Sequence, residues 1–171
     1  PRSRADGAAP DWTTLGGYFK KLEAQHMSTN IASYVGEEQV WTYVKGYDQT
    51  PATPAELDAM TALVAEAMAQ GAMGLSTALL MPPSSLATTG NLTDLAKVAK
   101  RFVGIYSTQY QWNLVTGGSA YAQNWFPAHP VWLAGHSSTS AAGGCAKPSF
   151  TGGRVAMTQY LSNGYDANYL C

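Results

Sequence analysis

Few side chains in this sequence could do chemistry, and they are widely spread. The best-placed carboxylates are Glu37 and Glu38, after an apolar run ending Val35-Gly36, and Asp166, after Gly164-Tyr165. The histidines, His26, His129 and His136, have none of the close spacing that brings metal ligands together. The thiols are Cys145 and Cys171. Aromatic and amide groups gather in the second half, as Tyr106, Gln109, Trp112, Trp132 and Gln159. Ring faces beside neutral amides suit a sugar, which offers apolar faces and hydroxyls. The same rings serve equally well as core, and Asp166 reads equally as a turn residue behind Gly164. Arg154 opens its apolar run, the wrong end for pairing a carboxylate ligand.

Composition narrows the classes. Hydrophobic residues make up 46% of the 171 and charged ones 12%, the reverse of a disordered chain. A formal net charge of −1 gives no electrostatic case for nucleic acid or an anionic membrane. No apolar run reaches the roughly 18 residues a transmembrane helix needs. The opening Pro1-Arg2-Ser3-Arg4, without Met, reads as a processed chain or a fragment. The two cysteines are either free thiols or a disulfide. A bridge from 145 to 171 would contribute roughly 3 kcal/mol in the chain-entropy model and would point to an oxidising, secreted or extracytoplasmic setting.

The elements that must position these groups follow from periodicity. Asp11 caps an amphipathic helix carrying Trp12, Leu15, Tyr18, Phe19 and Leu22. Residues 30–36 form a short strand, and 37–45 a short helix. Thr53-Pro54-Ala55-Glu56 is a capping box with proline at the first helical position, and Gly71 stops the helix it starts. Residues 72–79 are the next strand, Pro82-Pro83 a break, 92–102 a helix and 103–108 a strand. Beyond residue 113 the texture turns to Gly, Ser, Thr and aromatics, with strands at 130–134 and 154–160. Alternating helix and strand with short links implies an α/β fold: a partial (β/α) barrel or an open, mostly parallel sheet of about five βα units. A full barrel needs eight strands, so the chain is an open sheet, a partial barrel or a piece completed by a copy of itself. One domain is expected over 1–171, with one sheet running through it.

Sites in such folds lie at the C-terminal ends of the strands. Those ends are Gly36-Glu37, Ala78-Leu79, Thr108-Gln109, Gly135-His136 and Tyr160, with Asp166 following. Parallel strands would bring Gln109, His136, Gln159 and Asp166 to one rim, with Trp112 or Trp132 as a stacking wall.

Two family resemblances overlie this reading. Residues 11–101 resemble the D-aminoacylases, the N-acyl-D-amino-acid deacylases of the amidohydrolase superfamily. The matching residues are Asn30-Ile-Ala, Val35-Gly36, Ala52-Thr-Pro-Ala-Glu-Leu57, Met60, Glu66-Ala-Met-Ala-Gln-Gly-Ala-Met-Gly-Leu-Ser-Thr77 and Pro82-Pro83. The resemblance implies a barrel that binds zinc and hydrolyses an amide. The family's His-x-His would precede residue 1. Its His after Val-Gly is Glu37 here, its following Arg is Trp41, and its later His is Gln109. The resemblance therefore implies a retained framework without its zinc ligands, so no cofactor is expected.

Residues 103–171 resemble the later strands of family-25 lysozyme-like glycoside hydrolases. The resemblance rests on Gly104-Ile-Tyr-Ser-Thr-Gln-Tyr-Gln-Trp112, Thr116-Gly-Gly118, Pro130-Val-Trp-Leu-Ala-Gly135, Phe150-Thr-Gly-Gly-Arg-Val155, Thr158-Gln-Tyr160 and Tyr165-Asp-Ala-Asn-Tyr-Leu-Cys171. It implies a cleft for peptidoglycan glycan, with Asp166 as the cleft carboxylate on the last strand. Tyr106, Gln109, Trp112, Trp132, His136 and Gln159 would line the groove, and Cys145 would pair with Cys171. The family's central acid pair has no counterpart, because deacylase-like sequence stands in its place. A helix resembling one family running without a linker into a strand resembling the other reads as a chimera, natural or designed. Three functions follow as expectations: a deacylase-derived scaffold of little or no activity, a glycan-binding protein, or a weak muramidase pairing Asp166 with Glu37 or Glu38.

Overall fold

The computed structural model describes residues 10–79, 82–101, 103–117 and 128–171. Where the sequence suggests one domain, the chain folds as two compact units, Pro1–Arg101 and Phe102–Cys171.

The first unit contains α1 (Leu15–Ala24), β1 (Val35–Gly36), α2 (Glu37–Lys45), α3 (Pro54–Ala69), β2 (Leu75–Ser76), a 3-10 turn (Ser84–Leu86) and α4 (Thr89–Ala99). α1 starts later than expected. Its cap is Thr14, which accepts from the Gly17 N–H, while Asp11 pairs with Lys21 and Trp12 packs on Tyr18. The capping box of α3 forms as read. Thr53 accepts from the Glu56 N–H at 3.3 Å, and Glu56 accepts from the Thr53 N–H at 2.7 Å. The Thr53 N–H and hydroxyl, then the Lys45 ammonium at 3.1 Å, hold the Glu56 carboxyl below its usual pKa. α4 begins with a second box, Thr88 with Asn91, earlier than apolar spacing alone suggests. The core forms where α2, α3 and α4 meet: Val40, Trp41, Met60, Val64, Leu95 and Ala99. β1 and β2 pair in parallel over two residues each, Val35 with Leu75 and Gly36 with Ser76. Both are shorter than their apolar runs, and β1 stops because Gly36 is already the N-cap of α2.

The second unit contains β3 (Ile105–Ser107), α5 (Gln109–Thr116), β4 (Val131–His136), α6 (Ala141–Gly144), β5 (Val155–Ser162) and β6 (Tyr165–Leu170). The sheet order is β3-β4-β5-β6, the first three parallel and β6 antiparallel to β5. The expected sheet running through both segments is therefore corrected: the described strands form two sheets, one in each unit. β6 and the helices α5 and α6 go beyond the sequence reading. β6 is a hairpin strand, turned by Asn163-Gly164 with φ of 51° and 82° at the two residues. Positive φ at both is the two-residue turn that matches strand twist. A disulfide joins Cys145 to Cys171, with Cα atoms 5.4 Å apart. No described helix is long and apolar enough to cross a membrane.

Candidate functional site

In the second unit, register decides which face each side chain joins. Ile105, Val131 and Val155 lie side by side, and with Leu133 and Phe150 they make the core. Their neighbours Tyr106 and Trp132 point to the other face, since successive strand residues alternate. Val131 pairs with Val155 but Trp132 with Met157, so β5 carries an extra residue there. That bulge keeps Val155 in the core and turns Met157 and Gln159 to the face of Trp132.

The polar face is tied together by side-chain bonds. Tyr106 donates its hydroxyl to Gln159 Oε1 at 2.6 Å, and Trp132 donates its indole N–H to Asn168 Oδ1 at 2.9 Å. The two rings meet edge to face, with centroids 5.0 Å apart. Gln159 and Asn168 are register partners across β5 and β6. Tyr106 stays 54% exposed, so its ring is held in place yet open to a ligand. Asp166 is exposed opposite Leu161, two residues along the same side of β6 from Asn168. This unit's ionisable Lys, Arg, Asp and Glu residues are Lys147, Arg154 and Asp166.

Tyr106, Trp132 and Gln159 are thus brought together, with Asp166 at the rim. Three other sequence candidates lie elsewhere. Gln109 opens α5 and donates along its own helix to Asn113 at 2.9 Å. Trp112 packs on Phe150, centroids 5.2 Å apart, at the core. His136 corrects the one-rim expectation. β4 carries its own bulge at Ala134-Gly135, with Gly135 at φ 88°. His136 consequently faces α6, where a Cβ built on Gly144 would stand 2.7 Å from His136 Cε1 and from Thr158 Cγ2. Thr158 is buried there, donating to the Ala141 carbonyl at 2.8 Å. Burial, and then the nearby Lys147 charge, push the His136 pKa below its ordinary value. Asn168 escaped the sequence reading. The Asn-Gly turn would have revealed it, because a hairpin there sets 168 opposite 159.

In the first unit the strand ends carry Glu37 and Thr77. Glu37 is fully buried, and its Oε2 accepts from the Thr77 hydroxyl at 3.1 Å. Its Oε1 has no hydrogen-bond partner among the described residues. A cavity of about 990 Å³ lies beside Lys20, His26, Asn30, Gln70 and Gly71. Residue 30 precedes β1 and residue 71 precedes β2, so this cavity sits at the N-terminal ends of the strands, away from Glu37.

Comparison with known proteins finds deacylases. A D-aminoacylase of Alcaligenes xylosoxydans xylosoxydans is 33% identical over 103 residues, 60% of this chain and 21% of the relative. The chain is similar to N-acyl-D-amino-acid deacylases. An N-acyl-D-glutamate deacylase of the same organism is 32% identical over 93 residues, 54% of this chain and 19% of that one. The chain spans about a fifth of the length of the curated relatives it matches. Among solved structures, the zinc and phosphonate complex of N-acyl-D-glutamate deacylase from Bordetella bronchiseptica superposes with a TM-score of 0.57 at 26% identity, covering 77% of this chain and 28% of that one. A D-aminoacylase mutant in complex with copper chloride superposes at 0.56 and 22% identity, covering 80% and 32%, a likeness of fold. No protein-family profile matches the chain.

Zinc needs three or four His, Cys or carboxylate donors converging within bonding reach. Among the described residues no three such side chains come together. Both cysteines are in the disulfide, and one oxygen of Glu37 is taken by Thr77. The described residues do not fit a zinc ion by themselves.

Proposed function

We propose that this chain is a deacylase-type α/β framework that does not hydrolyse amides and that binds a neutral glycan on the Tyr106–Trp132 face of its second unit. The similarity to N-acyl-D-amino-acid deacylases supports the framework. The observation that carries the loss of chemistry is Glu37. At the strand end where the resemblance implies a histidine, it is a buried carboxylate bonded to Thr77. A carboxyl buried in this way presents no solvent-exposed oxygen to a substrate. Assay of N-acetyl-D-amino acids with added zinc should give no turnover above background, and zinc-dependent turnover would reject this part of the reading.

The glycan reading is supported by the fixed rings and neutral amides of the second unit. Tyr106 and Trp132 are each oriented by a hydrogen bond to an amide side chain. Pre-orientation removes ordering cost on binding. The sparse charge around them disfavours an acyl amino acid, whose carboxylate would need a cation. Titration of labelled protein with chitotriose tests it. Shifts should cluster on 106, 132, 159 and 168, and shifts confined to 30–80, or none at millimolar sugar, would defeat the idea.

A further inference from the structure

We propose that the Cys145–Cys171 disulfide is a redox-controlled strap, which holds β6 on the sheet and thereby fixes the Trp132 ring in its binding orientation. The inference rests on the glycan reading for its consequence, but its structural part stands on β6 alone. Among the described strands β6 is an edge strand, paired with β5 alone, and five of its six residues are exposed. Little apolar burial therefore retains it. Its first end is held by the Asn163-Gly164 turn. Its far end is held by the Cys171 N–H bond to the Ala156 carbonyl at 2.9 Å and by the disulfide to Cys145, which directly follows α6. Between these anchors stands Asn168, which reaches past β5 to the Trp132 indole on β4. Its register partner Gln159 accepts from Tyr106. Movement of the far half of β6 therefore frees Trp132 directly and removes the strand that backs Gln159.

The chemistry is thiol–disulfide exchange. A dithiol supplies two electrons and two protons, the Sγ–Sγ bond breaks, Cys145 and Cys171 become thiols, and the dithiol closes to a cyclic disulfide. Cys171 is exposed beyond an edge strand, where a thiolate can attack. Once released, residues 168–171 keep the ladder to β5 and the Asn168–Trp132 bond on an exposed edge strand, the kind of segment that opens locally.

The test uses the full chain, nitrogen-15 labelled, with and without dithiothreitol. On reduction the Trp132 indole resonance should shift, and amide exchange at 168–171 should rise about tenfold or more. Trp112 in the core should keep its resonance, and chitotriose affinity should fall by about tenfold, the size of one lost hydrogen bond. Asn168→Ala, with its disulfide intact, should reproduce the Trp132 shift and the affinity loss. A double Cys145→Ser, Cys171→Ser chain should match the reduced state and ignore the dithiol. An unmoved Trp132 on reduction or in Asn168→Ala would overturn the strap. So would joint loss of the Trp112 and Trp132 resonances on reduction, which would make the disulfide a support of the whole unit. Failure of the oxidised chain to bind chitotriose would instead reject the glycan reading, leaving the strap to be judged on Trp132 and amide exchange.

Discussion

Thr77 donates its hydroxyl to Glu37 across 3.1 Å, and each of the two residues follows the C-terminal end of one of two paired parallel strands. The bond joins the ends of β1 and β2 where their own ladder has stopped. Thr77→Val would leave a fully buried carboxylate without its hydroxyl donor. The expected loss is about 1–3 kcal/mol, measured by urea unfolding. Glu37→Leu in the Thr77→Val background should cost less than the two single losses added, because the residues are coupled. Strict additivity would show that the bond is not formed in solution.

Tyr106→Phe removes one oxygen and keeps the ring. Because the site is half open, stability should change by about 1 kcal/mol or less. Chitotriose binding should weaken several-fold, since the ring loses the Gln159 bond that fixes its angle. Unchanged affinity by titration calorimetry would remove Tyr106 from the proposed site.

Gly144→Ala tests the packing of His136 against α6. A Cβ there meets Thr158 Cγ2 and His136 Cε1 at 2.7 Å each. Overpacking of this kind costs about 1–3 kcal/mol. A melting temperature equal to that of the parent chain would show that α6 makes room for the methyl group.

His136 also sets a pH dependence. Its pKa in the fold is lowered, by burial first and by Lys147 second. Below the ordinary histidine value of about 6.5, the unfolded chain binds the proton more readily than the folded one. Stability therefore rises with pH across the window from the lowered value up to about 6.5, and is lost as pH falls through it. Urea midpoints between pH 5 and 7 should rise, and His136→Gln should flatten the rise. An equal slope in the variant would assign it to other groups.

Much of the local structure was legible in the sequence because it rests on neighbouring residues. The Thr53–Glu56 box, Pro54, the stop at Gly71 and the 37–45 helix depend on hydrogen bonds and backbone preferences within a few positions. The apolar runs at 130–134 and 154–160 likewise located β4 and β5. The pairing partners were not legible, because they lie far apart in the chain. Whether β3 joins β2 or β4 is settled by long-range hydrogen bonds, and those made two sheets where one was expected.

The sequence by itself determined which groups are available: a charge-poor second unit rich in Tyr, Trp, Gln and Asn, and a first unit with Glu37 where the resemblance implies histidine. Only the tertiary structure decided which of them meet. A strand alternates faces at every residue, so one inserted residue reverses every side chain beyond it. The bulge in β5 placed Gln159 beside Tyr106, while the bulge in β4 sent His136 to the side of Thr158. The antiparallel return of β6 added Asn168 to the face. These placements follow from register between distant strands, a property of packed backbones that no local run of residues encodes.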